Sequence, residues 1–180
     1  VGIGAMGWKK SSRRTLHFDS ISEIRSEINR LASANIRTIG NWSFAQILDH
    51  LASAMEASFD GFNFKSPWFV RSIAGPMVKK RFLTKPMPAG FKLPKRATQI
   101  LPDKGVDRTA SLSRIFAVLD RFEHEEPRQP HPVFGRLTPA ESIQLHCRHA
   151  ELHLSFVVPQ TDAATEAAMP VESGTPDKSP

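Results

Sequence analysis

The sequence predicts an all-α fold, a single helical bundle, and three observations carry that expectation. Apolar residues recur at three- and four-residue spacing in separate segments. Side chains that cap helix N-termini stand at the heads of those segments, and glycine or proline punctuates their ends. The first helix is expected over about 20–34, because Ser20 and Glu23 form a capping-box pattern ahead of Ile21, Ile24, Ile28 and Leu31. Ile36 to Asn41 contains Gly40 and reads as a connection. Ser43 then caps a second helix whose Phe44, Ile47, Leu48, Leu51, Met55 and Phe59 share one stripe, with Gly61 as its stop.

Ser66-Pro67 opens a third helix, which Gly75 and Pro76 should kink or divide. From Thr84 to Asp103 the chain carries Pro86, Pro88, Gly90, Pro94 and Pro102 without periodicity, so a long connection is expected there. Asp107 caps a fourth helix with Leu112, Ile115, Phe116, Leu119 and Phe122 on one face, stopped by Pro127 and Pro130. Thr138, Pro139 and Glu141 supply cap, first-turn proline and capping-box acid for a fifth helix expected to run to about Val158. The organisation expected is a flexible segment over 1–14, a bundle over 15–158 and a disordered tail over 159–180.

Composition narrows the class. A chain of 180 residues with 40% apolar content builds one core. Cys147 is the only cysteine, which rules out an internal disulfide and fits a cytoplasmic setting. No stretch reaches the roughly 18 apolar residues that a membrane-spanning helix needs. Val1 to Trp8 is too short for a secretory core and precedes its charges, so no signal peptide is expected. The net charge of +6 concentrates in Lys65, Arg71, Lys79, Lys80, Arg81, Lys85, Lys92, Lys95 and Arg96, within a stretch from 65 to 102 that holds no acid. No phosphate-binding glycine loop or nucleophile elbow is present.

The fifth helix carries the chemistry. Turning 100° per residue from His146, His149 falls at about 300° and His153 at about 340°, opposite a polar arc holding Glu141, Gln144, Arg148 and Glu151. The histidines therefore point into the bundle, amid an apolar stripe. A buried imidazole needs a partner for each ring nitrogen, and a metal ion is one. The four-residue separation of His149 and His153 lets both rings reach one ion; the competing reading is core histidines satisfied by backbone or water. A third ligand must come from another helix, and His50, on the flank of the second helix's buried stripe, is the best placed. His146 is either an alternative to His50 or a group behind the ligands. His17, His124 and His131 lie in loops or at helix ends and are expected to be exposed.

Asn41-Trp42-Ser43 leading to His50-Leu51, with His149-x-x-x-His153 near the end, resembles the DinB-like superfamily of metalloenzymes. The blocks Asp60-Gly61-Phe62, Met87 to Pro94, His131 to Gly135 and Arg148 to His153 resemble one branch of it, known as a domain of unknown function. The resemblance spans about 15–158 and implies a four-helix bundle with an additional helix and long loop between its second and third bundle helices. It also implies that His50, His149 and His153 bind a divalent metal, usually zinc or nickel; iron and copper suit imidazole as well. His146 is an addition to that triad. Characterised relatives include thiol-dependent S-transferases and isomerases, which implies a small-molecule substrate and a low-molecular-weight thiol, with a homodimer as a compatible assembly.

Metal-assisted hydrolysis fits the same open site. A second reading, from another class, is a non-enzymatic module that binds an anionic membrane or nucleic acid through 65–102. There Trp68, Phe69, Ile73, Met77, Phe82 and Leu83 interleave with the basic residues. A further expectation is that the connection from Thr84 to Asp103 covers the mouth of the metal site, with Lys92 and Lys95 binding an anionic substrate.

Overall fold

The computed structural model describes residues 13–67, 69–90 and 100–160. It is mostly helical, with five α-helices and a two-stranded sheet in the order α1 (Ile21–Ser33), β1 (Ile36–Thr38), α2 (Phe44–Asp60), α3 (Gly75–Thr84), α4 (Arg108–His124), α5 (Pro139–Leu154) and β2 (Val157–Pro159). Trp68, Lys92, Lys95 and Arg96, most of the expected flexible N-terminal segment and nearly all of the expected tail lie outside the described residues. No described helix is long and apolar enough to cross a membrane.

The expected caps form. Ser20 accepts from the Glu23 amide, Ser43 from Gln46, Asp107 from Ala110 and Thr138 from Glu141. In the first of these the acid reaches one residue further back than a standard box, its Glu23 Oε2 accepting from the Asp19 amide at 2.9 Å. Helix α2 packs against α4 and α5, and α1 against both as well. Their shared core holds Ile24, Ile28 and Leu31 of α1, Leu48, Leu51, Met55 and Phe59 of α2, Ile115 and Leu119 of α4, and Ala150 and Leu154 of α5. A smaller apolar cluster of Leu83, Phe134 and Leu145 joins α3 to the other side of α5.

Three elements differ from the sequence expectation. The connection before α2 contains a strand, Ile36–Thr38, paired antiparallel with Val157–Pro159. Helix α5 therefore ends at Leu154 rather than near Val158, since Val157 and Val158 exchange helical hydrogen bonds for the ladder. The third helix is neither simply kinked nor divided. Pro76 has no N–H to give the ladder, and the chain absorbs this in a π-helical turn over Val70–Ala74, where the Gly75 amide reaches back to the Val70 carbonyl.

Gly75 also permits close packing. A Cβ at this position would lie 2.1 Å from the Val133 carbonyl oxygen, a backbone atom that cannot swing away. Gly75→Ala is expected to cost about 3 kcal/mol through this overlap, read as a lowered urea midpoint.

Candidate metal centre

The capping box of α2, with Ser43 Oγ accepting from the Gln46 amide at 3.2 Å and Gln46 Oε1 from the Ser43 amide at 3.0 Å, sets where the helix starts. It places His50 in the second turn, where it is 2% exposed. Helix α5 starts on the same kind of box, and the Lys79 ammonium holds Glu141 of that box at 2.6 Å, tying α3 to the start of α5. His149 and His153 then fall one turn apart on the side of α5 that faces His50.

The three rings converge. Ring centroids are 4.9 Å apart for His50 and His149, 4.5 Å for His50 and His153, and 4.7 Å for His149 and His153. One nitrogen from each lies within 4.8 Å of the other two. Nitrogens around a tetrahedral zinc at about 2.0–2.1 Å must stand about 3.3 Å apart. His50 Nε2 and His149 Nε2 are 3.1 Å apart, so this pair already has the spacing, and His153 offers a nitrogen within 4.8 Å of the other two ligand atoms. The residues fit a divalent ion.

Protonation favours the same use. The Ile100 carbonyl can only accept, so His50 Nδ1 carries the proton and donates to it, leaving the Nε2 lone pair toward His149. Without an ion between them, the same pair is a hydrogen bond in which the His149 Nε2–H donates. Burial pushes the His153 imidazole down to about 3, and His149 well below its ordinary value, helped by its histidine neighbours. Burial also lowers His50, against the opposing pull of the Ile100 carbonyl and of Asp49. Three neutral imidazoles result at neutral pH, the state a metal ligand requires.

Trp42, just before the α2 cap, has no ligand atom and yet shapes the site. Its ring stacks on His153 at 5.4 Å and 15°, and tilts against His50 at 4.8 Å. The β1–β2 ladder explains its position, because pairing Thr38 with Val157 draws the chain before α2 alongside the end of α5.

The face of α5 away from the histidines corrects the sequence picture. Arg148 and Glu151 were expected on a polar outer arc, but they are 6% and 5% exposed. Residues 14–19 cover them. Arg148 pairs with Glu151 at 2.7 Å and donates to the Phe18 carbonyl and to His17 Nδ1, while Glu151 Oε1 accepts from the Phe18 amide at 2.6 Å. Arg14 donates from its side chain to the Leu154 carbonyl and from its amide to the Ser155 carbonyl, both at 3.0 Å, and pairs with Glu27. The apolar contacts of α5 form two arcs. Cys147, Ala150 and Leu154 meet the main core and Leu145 the smaller cluster, with the histidines between.

His146 is buried against Phe122 and is not part of the converging triad, and burial lowers it to about 3. His131, expected to be exposed, is half-buried instead. Its ring stacks on Phe134 at 4.7 Å and its Nδ1 accepts from the Val133 and Phe134 amides, while desolvation lowers it to about 4. His17 and His124 are exposed. The Cys147 thiol is buried and pushed up to about 12, so it supplies no thiolate. Lys92 and Lys95 lie outside the described residues, but the far end of their connection touches the site through Ile100.

No curated protein and no solved structure matches the chain. A family model described as "Protein of unknown function (DUF1569)" matches residues 10–160, a span containing the whole histidine triad and the elements that position it. The chain belongs to the DUF1569 family.

Proposed function

We propose that this chain is a divalent-metal-dependent enzyme of the DinB-like type, with His50, His149 and His153 as the ligands. The convergence of three neutral imidazoles, one nitrogen of each within 4.8 Å of the others, carries the reading. Zinc or nickel is the metal proposed, on the donor set and on the sequence resemblance. The four-helix part of the reading rests on α1, α2, α4 and α5, with α1 and α2 each packing against both α4 and α5, and with α3 as the additional helix.

Three protein ligands leave positions open, as in catalytic rather than structural centres. When bound, the ion supplies Lewis acidity, lowering the pKa of a thiol or water placed beside it. The chain itself orients His50 through the Ile100 carbonyl and Trp42, and His153 through Trp42. The reaction proposed is transfer or isomerisation of a small molecule with a low-molecular-weight thiol as thiolate; metal-assisted hydrolysis is the competing chemistry.

Nickel-loaded protein separates these. Adding a small thiol such as cysteine at neutral pH should produce a thiolate-to-metal charge-transfer band in the near ultraviolet, absent in His149→Ala. A loaded protein that shows no such band with any small thiol counts against the thiol reading and leaves hydrolysis.

A further inference from the structure

The outer face of α3 combines two properties that a solvated helix does not need. Ile73, in the π-helical turn that leads into α3, is 56% exposed, Met77 79% and Val78 39%, apolar side chains with nothing from the described residues over them. At about 100° per residue, Lys80 and Arg81 flank Met77 on either side, both exposed, and Lys85 and Lys65 are exposed at the two ends of the segment. The opposite face does the packing: Gly75 lies against the Val133 carbonyl, Lys79 pairs with Glu141, and Leu83 and Phe82 join the cluster around Phe134. The outer side chains therefore contribute nothing to that internal packing.

We infer that the outer face of α3 docks on an anionic phospholipid surface, with Ile73, Met77 and Val78 entering the headgroup boundary and Lys80, Arg81, Lys85 and Lys65 meeting lipid phosphates and carboxylates. Charge selects this occupant. From 61 to 102 the chain has no acid, so a second copy using the same face would set lysine and arginine against their own kind. A nucleic acid would take the basic side chains but leave the aliphatic ones wet, whereas a lipid interface satisfies both.

Flotation of the full chain with vesicles tests this. Vesicles of phosphatidylcholine with about one-third phosphatidylserine should bind the chain at low salt, release it at high salt, and bind far better than phosphatidylcholine alone. Lys80→Ala with Arg81→Ala should lower partitioning about 30-fold, at about 1 kcal/mol for each basic residue. Ile73→Ser with Met77→Ser should lower it at least about tenfold. These positions are exposed, so circular dichroism and metal content should not change. The inference is overturned by equal binding to both vesicle types, by no binding at low salt, or by binding that ignores the Ile73 and Met77 changes. A dimer that dissociates on Met77→Ser, or nucleic-acid binding that needs only Lys80 and Arg81 in a chain that leaves vesicles alone, overturns it equally.

Discussion

Tag-free wild-type chain should bind close to one equivalent of zinc or nickel, and His149→Ala, His153→Ala and His50→Ala should each abolish tight binding. The three nitrogens come together only across α2 and α5, so removing any one leaves a two-ligand fragment. His146→Ala should lower affinity by no more than about tenfold, because that ring packs on Phe122 outside the triad. Trp42→Ala should weaken binding about 10- to 100-fold, since it frees the His153 ring that it stacks on. Metal analysis after dialysis, with circular dichroism to verify folding, reads all five. Acid adds a signature. Burial holds the triad imidazoles below their ordinary range, so protons compete less for the folded site than for free imidazoles, and affinity should fall less steeply from pH 7 to 5 than for three solvent-exposed histidines. Three solvent imidazoles would each begin losing lone pairs near pH 6.5. A folded wild-type chain that takes up no zinc or nickel at neutral pH would defeat the metal reading.

Much of this centre was legible because helical periodicity is a local property. His149 and His153 are one turn apart whatever surrounds them, and His50 follows from the cap at Ser43 and the stripe it starts. The helix starts were readable for the same reason, since Ser20, Ser43, Asp107 and Thr138 bond within their own first turns. What escaped was set by distant partners. Three-residue strands have too few positions to show a period, and Val157 continues the helical pattern of α5 until β1 claims it. Trp42 gained its role only once that ladder brought it over His153. His131 looked like a loop residue, and its burial comes from Phe62 and Phe134 closing on its ring. Arg148 and Glu151 read as solvent-facing because nothing in α5 shows that residues 14–19 lie across them.

That buried pair should give the largest stability change of any substitution away from the histidines. Glu151→Ala is expected to destabilise the chain by about 3–5 kcal/mol, because it strands the Arg148 guanidinium at 6% exposure and takes the acceptor from the Phe18 amide. Arg148→Ala should cost a similar amount by leaving the carboxylate buried. Burial already raises the pKa of Glu151 despite the guanidinium beside it, so desolvation outweighs the attraction between the two. Consequently Arg148→Met with Glu151→Leu, which removes both charges and keeps the volume, should be more stable than either single variant. Urea unfolding of the wild-type chain, Arg148→Met, Glu151→Leu and the double variant closes the cycle, and the coupling between the two sites should exceed about 2 kcal/mol. The effect should also reach the metal. Arg148 and Glu151 bracket His149 on α5, and Phe18 and Arg14 hold the turns from which His149 and His153 project. Loss of that strap in Glu151→Ala should weaken metal binding, while the apolar double variant, with α5 packed again, should recover most of it. Equal stability of the single and double variants would mean that residues 14–19 do not clamp α5 through this pair.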